Sequence, residues 1–233
     1  MNIENSVVFV TGGNRGLGLA FAREALSRGA RKVYAGMRRT DGFDVLGIVP
    51  VRLDVTDPAS VRAAAARCTD VTVLVNNAGI GRAGAALDAS MEQLSREIFE
   101  TNYYGMIRTT QAFAPILARN GGGAIINVLS IVSWKPSSIL APYAASKAAA
   151  WSFTNSLRLQ ARNQGTQVLA LHAGFIDTDL VKDFDVPKTS AAEVARRTLE
   201  GLAESKDEVF ADEGTRLFKQ GLSSEPASYI AAP

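Results

Sequence analysis

The stretch Val7-Val8-Phe9-Val10-Thr11-Gly12-Gly13-Asn14-Arg15-Gly16-Leu17-Gly18 runs a short β-branched segment straight into a glycine-rich turn. Behind the turn, Leu17, Ala20, Phe21, Glu24 and Ala25 recur at helical spacing as far as Arg28, and Gly29 ends the pattern. Glycines let the backbone turn sharply and approach a bound diphosphate, and the N-terminus of the helix offers unpaired N–H groups and positive potential. Taken alone, the same turn is also what close helix–sheet packing needs. Its spacing is Gly-x-x-x-Gly-x-Gly, not the commoner Gly-x-Gly-x-x-Gly of dinucleotide-binding folds.

Outward from this unit the alternation of strand and helix repeats. Strands are predicted at Lys32 to Met37, Val49 to Leu53, Val71 to Val75, Ala124 to Leu129, Gln167 to Leu171 and Glu208 to Ala211. Helices are predicted at about 59–67, at 91–119 with an interruption near Asn102, at 144–163 and at 191–204. The crossover from Arg38 to Ile48 is short enough that its helix is cut to a turn or so. Strands that are apolar throughout are buried on both faces, as in a parallel sheet covered by helices. The fold class is therefore α/β: one doubly wound, Rossmann-type domain over residues 1–233, with a mostly parallel sheet of about seven strands.

Composition narrows the function classes. The 233 residues are 47% hydrophobic and 21% charged, ordinary for a globular protein. With 25 basic and 23 acidic side chains the net charge is +2, so no global field points to nucleic acid or an anionic membrane. Cys68 is the single cysteine, which rules out an intramolecular disulfide and a cysteine-based metal cluster; no metal site is expected. Met1 to Ser6 lack the features of a signal peptide, and no apolar run approaches the ~20 residues needed to cross a bilayer. A cytoplasmic location is the expectation.

Tyr143 and Lys147, four apart on a predicted helix, share one face. A free tyrosine has a pKa of about 10, and a neighbouring ammonium favours the phenolate. In isolation the two are also a solvated helix pair. Ser130 follows a predicted strand, at the end where open α/β sheets bind ligands.

These pieces occur in an order that resembles the short-chain dehydrogenase/reductase family: Thr11-Gly12-x-x-x-Gly16-x-Gly18, Asp54-Val55, Asn76-Asn77-Ala78-Gly79, Asn102, Ser130, Tyr143-x-x-x-Lys147 and Gly174-x-x-x-Thr178. The resemblance covers about residues 6 to 212. It implies hydride transfer between a nicotinamide and a carbonyl/alcohol substrate, with Ser130, Tyr143, Lys147 and Asn102 as the catalytic set. Ser130 would orient the substrate oxygen, Tyr143 would pass the proton, and Lys147 would grip the nicotinamide ribose. The backbone of Asn102 would bind a water that relays protons to Lys147. The resemblance also assigns cofactor contacts to Gly12, Asn14, Arg15, Gly16, Leu17 and Gly18 in the turn, and to Asp54 and Val55 beside the adenine. Asn76, Ala78 and Gly79 would pass under the dinucleotide, and Gly174, Ile176 and Thr178 would meet the nicotinamide.

Met37 stands where NAD-preferring relatives usually carry an acid, and Arg38-Arg39 come directly after it. Arg38, with Arg15 from the other side, would hold a 2′-phosphate, so the expected cofactor is NADP(H). In one departure, Ala173 replaces the family's usual proline before Gly174, which leaves that loop less restricted. His172, the only histidine, is read as packing or a local hydrogen bond. A short lid segment, about 179–190, carries Leu180, Val181, Phe184 and Val186. With Ile131, Val132, Trp134, Leu140 and Phe175, it suggests an open apolar pocket for uncharged, moderately hydrophobic ketones or aldehydes; Lys135 and Lys182 aside, no basic residue is placed to grip a carboxylate. The family's habit of pairing the helices that hold Asn102 and Tyr143 implies a homodimer or homotetramer. Three alternatives stay open: a longer-chain epimerase or dehydratase relative, for which the C-terminal part is too small; a non-catalytic NADP-binding regulator; and a dehydrogenase working toward oxidation.

Overall fold

Apolar residues at alternating positions of the first strand face opposite sides, and both sides are covered. In the computed structural model, which describes residues 1–178 and 185–231, β1 (Val7–Thr11) leads into α1 (Gly16–Ser27), β2 (Lys32–Met37), β3 (Ile48–Arg52), α2 (Pro58–Arg67) and β4 (Val73–Asn76). Then come α3 (Met91–Phe99), α4 (Gly105–Arg119), β5 (Gly123–Val128), α5 (Ala141–Ala161) and β6 (Thr166–His172). The chain continues through β7 (Ile176–Asp177), β8 (Thr189–Ser190), α6 (Ala191–Ala203), β9 (Glu208–Phe210), α7 (Glu213–Gln220) and α8 (Ser228–Ala231).

Seven strands form one parallel sheet in the order β3-β2-β1-β4-β5-β6-β9. Val8 and Val10 pack with Phe21 and Leu199 on the side of α1 and α6; Val7 and Phe9 pack with Phe113 and Leu117 on the side of α2 and α4. The Phe9 and Phe113 rings lie 4.6 Å apart, both fully buried, and each such side chain contributes about 1.5–3 kcal/mol through burial. From β1 the chain winds outward to β3, then returns to place β4 on the other side of β1. That reversal opens a crevice at the carboxyl ends of β1 and β4, where doubly wound sheets bind ligands.

Local departures from expectation have physical causes. The β2–β3 crossover holds no helix; it makes turns closed by Phe43 N–H to Thr40 O (3.2 Å) and Ile48 N–H to Val45 O (3.0 Å). α5 begins at Ala141, three residues earlier than the pattern suggests, because Pro142 sits in its first turn where a missing N–H costs nothing. The break near Asn102 is a π-helical turn, Glu100–Tyr104, between α3 and α4. The two-residue pair β7–β8 is too short to carry a periodicity, and α7 is amphipathic but only eight residues long; in α7 only Thr215 is fully buried. Among the described residues no helix is long and apolar enough to cross a membrane.

Candidate active site

The glycine-rich turn lies at the crevice. Gly12 and Gly16 have φ of +66° and +51°, in the left-handed region that favours glycine. A Cβ on Gly18 would stand 2.1 Å from the Gly12 carbonyl oxygen, so no larger residue closes this turn. Thr11 ties the turn to the loop after β4: its Oγ1 accepts from the N–H groups of Asn77 and Ala78, both at 2.9 Å. Asn77 Nδ2 donates back to the Thr11 carbonyl at 2.9 Å. Asn14, Arg15 and Gly16 are exposed at the head of α1, whereas Leu17 and Gly18 are buried under it. Thr178 approaches the same turn, its Cγ2 3.3 Å from where a Gly16 Cβ would be.

At the far edge of the crevice Arg38 is exposed directly after the buried Met37. The side chain and N–H of Thr56 hydrogen-bond Asp54 and hold its carboxyl below the usual range, with the Arg38 charge a smaller aid. Asn76 and Val55, expected beside the dinucleotide, both have buried side chains. The Asn76 side chain is buried; it donates to Thr110 Oγ1 (3.0 Å) and Asn127 Oδ1 (2.9 Å) and accepts from Thr109 Oγ1 (2.6 Å). It stands in register with Asn127 across β4 and β5, so its amide is spent joining the sheet to α4. Val55 is 7% exposed and packs against Gly105.

Ser130, Tyr143 and Lys147 converge beyond the end of β5. Ser130 heads a short 3₁₀ turn over Ile131–Ser133; its Oγ accepts from Val132 N–H and donates to Ala173 O, both at 3.3 Å. Lys147 is buried, donates to Val128 O at 2.8 Å and lies 5.7 Å from the centre of the Tyr143 ring. Asn102 braces this corner through its side chain: Oδ1 accepts from Ile80 N–H (2.8 Å), and Nδ2 donates to Ile80 O (2.9 Å) and Ser146 Oγ (3.1 Å). The π-turn thereby links the loop after β4 to α5.

Burial sets the protonation states of the protein alone. It pushes the Tyr143 phenol up to about 12, against the opposing pull of the Ser130 hydroxyl. It takes the Lys147 ammonium down to about 8. The expectation that the ammonium would dominate and lower the phenol is therefore reversed here, because desolvation is the larger influence on both. A phenol held neutral is a proton donor at neutral pH.

Beside these residues opens a cavity of about 560 Å³ lined by Ile131, Val132, Leu140, Gly174 and Phe175, with Lys135, Lys188 and Asp212 on its wall; Lys188 is a basic residue that the sequence pattern does not place there. Trp134, expected there, is not among the lining residues. The 3₁₀ turn swings it back onto the His172 ring, 4.0 Å between centres, with Trp151 edge-on at 5.8 Å. His172 is fully buried, with Nδ1 3.5 Å from Ser130 O and Nε2 3.4 Å from Glu208 Oε1; burial lowers its pKa. Phe184, and with it Leu180, Val181 and Lys182, lies outside the described residues. Ile176 pairs with Thr189 and accepts a 3.3 Å hydrogen bond from Thr178 Oγ1. Gly174 N–H donates to Asp212 Oδ2 at 2.7 Å. Sequence reasoning does not single out Asp212, although Asp212-x-x-Thr215 is a recognisable helix-capping pattern. Among the described residues no group of three or more His, Cys, Asp or Glu is placed to hold a metal ion.

A family model described as "short chain dehydrogenase" matches residues 6–188. The chain belongs to the short-chain dehydrogenase/reductase family. As a member of that family it is an oxidoreductase. It is 35% identical to the 3-oxoacyl-[acyl-carrier-protein] reductase FabG of Vibrio cholerae over 191 residues, covering 78% of each chain. It is 34% identical to an NADPH-dependent 1-acyldihydroxyacetone phosphate reductase of Schizosaccharomyces pombe, over 77% of this chain and 62% of that one. A crystal structure of a short-chain dehydrogenase from Burkholderia cenocepacia in complex with NADP superposes with a TM-score of 0.92 at 38% identity, over 97% of this chain and 96% of that one.

Proposed function

We propose that this short-chain dehydrogenase/reductase transfers hydride between NADP(H) and a carbonyl/alcohol substrate, and that it reduces moderately hydrophobic ketones or aldehydes. The observation that carries the reading is the convergence of Ser130, Tyr143 and Lys147 beside a largely apolar cavity at the carboxyl ends of the strands. The donor set fits the dinucleotide. The exposed head of α1 offers N–H groups and positive potential to the diphosphate, and Arg15 and Arg38 bring guanidinium charge to a 2′-phosphate. The NADP-bound relative from Burkholderia cenocepacia supports the same choice. Lys147 would hold the nicotinamide ribose, and Thr178 with Gly174 would line the nicotinamide end.

When bound, the dinucleotide supplies the hydride. Ser130 Oγ holds the substrate oxygen near the Tyr143 hydroxyl, which donates its proton to that oxygen as the carbonyl carbon is reduced. Lys147 keeps a positive charge beside the phenolate that remains and stabilises it. The same reading has the chain acting in the cytoplasm as a homodimer or homotetramer; Tyr104, beside α4, and Leu159, on α5, are 47% and 67% exposed, as residues at such a helix-paired interface would be in one chain.

Tyr143→Phe tests the mechanism. NADPH binding should persist, while NADPH consumption over a panel of alkyl and aryl ketones and aldehydes falls by about 10²–10⁴-fold. Wild-type rates in the variant would overturn the assignment of the proton donor. Activity confined to sugars or charged substrates would overturn the substrate class.

A further inference from the structure

We infer that Asp212 is a positioning residue for the catalytic serine, acting through the peptide between Ala173 and Gly174. This rests on the proposed reductase site. The peptide group is planar, so its carbonyl and N–H are two ends of one rigid unit. At one end the Ala173 carbonyl accepts from Ile131 N–H at 2.9 Å and from the Ser130 hydroxyl at 3.3 Å. At the other, Gly174 N–H donates to Asp212 Oδ2 at 2.7 Å, a charge-assisted bond of short length. Fixing the N–H end fixes the direction of the carbonyl toward which the Ser130 hydroxyl points.

The carboxylate is itself fixed. Asp212 caps α7: its Oδ1 accepts from Thr215 N–H at 2.8 Å, and the Thr215 hydroxyl lies 2.9 and 2.8 Å from its two oxygens. A Cβ on Gly174 would stand 3.3 Å from Oδ2, tight enough that the approach suits glycine. Ala173 has no ring to restrict this turn. The restraint on the peptide comes from the side chain of Asp212, which also lines the substrate cavity. α7, a short helix after the last strand of the sheet, is thereby coupled to the chemistry.

Three variants and three measurements test this. Asp212→Ala should lower kcat for a ketone substrate by about 10- to 100-fold while the Kd for NADPH stays within about threefold, because the reacting groups are displaced and the phosphate grip is not. Asp212→Asn, whose amide oxygen can still accept from Gly174 N–H, should recover most of the kcat. Arg216→Ala removes the exposed ion pair of α7 with Glu213 and leaves every contact of the Asp212 carboxylate in place, so it should leave kcat near wild type. Hydrogen exchange at the Gly174 amide, which needs no turnover, should be faster in Asp212→Ala by about 10-fold or more and unchanged in Arg216→Ala. Equal loss of kcat in Arg216→Ala and Asp212→Ala, or unchanged exchange at Gly174 in Asp212→Ala, overturns the inference. If wild type reduces no carbonyl, the functional reading fails separately, and the exchange measurement still decides whether Asp212 holds the peptide.

Discussion

Replacing Lys147 by Met should change how stability depends on pH, with a sign set by burial. The residue is 4% exposed, and burial brings its ammonium from an ordinary 10.5 down to about 8. Between those two values the unfolded chain holds a proton that the folded protein has already released. Unfolding then takes up a proton, so the folded state gains stability as pH rises through this window. A tenfold difference in proton affinity is worth about 1.4 kcal/mol, which makes the gain from pH 7 to pH 10 about 2–3 kcal/mol. The Met variant has no such group and should show no such gain. Loss of the bond to Val128 O adds a penalty that does not vary with pH. The Cys68 thiol, pushed up to about 11 by burial, and the Tyr143 phenol, at about 12, lose stability at higher pH in both proteins, so the difference between the two curves removes them. Urea denaturation at four pH values from 7 to 10, wild type beside Lys147→Met, gives that difference directly. Parallel curves, or a wild type that loses ground to the variant as pH rises, would refute the argument that burial disfavours this ammonium.

Arg38→Ala should lower the ratio of kcat/KM for NADPH over NADH by about 10-fold or more, since one charge-assisted contact to the 2′-phosphate is lost; steady-state kinetics with both dinucleotides measure it, and an unchanged ratio would remove Arg38 from the phosphate site. Gly18→Ala should abolish NADPH binding or the fold itself, because its Cβ would lie 2.1 Å from a backbone oxygen. Gly42→Ala is the matched control: it has open space around it and a φ of +72°, so only strain of about 1 kcal/mol is expected in a thermal melt.

Much of the fold could be read from the sequence because the sheet is buried on both faces. Runs such as Val7 to Val10 and Val73 to Val75 have no other use, and glycines mark the turns at their ends. The same property hides the orientation of Asn76. A strand without a polar face gives no parity to say which way a single amide turns, and only its register with Asn127 shows that it turns into the core. Trp134 is misplaced by the pattern for a related reason: a three-residue 3₁₀ turn intervenes between it and β5, and short turns have no periodicity to project. For Tyr143 and Lys147 the spacing identifies the neighbours but cannot give the depth of burial, which decides both pKa values. Asp212 leaves a capping pattern, yet α7 is only eight residues long, and an amphipathic stretch that short does not stand out as a helix.

Trp134 and Trp151 are the only two tryptophans in the chain, and they share one corner with His172 and Phe210, the Lys219 ammonium lying 4.4 and 5.1 Å from the two indole rings. All of the indole emission of this protein therefore originates within a few residues of the Ser130 turn. A melt monitored by fluorescence would track this corner, while far-UV circular dichroism of the same sample would track the sheet and helices. Coincidence or separation of the two transitions would show whether the catalytic corner opens with the rest of the molecule or ahead of it, without any label being introduced.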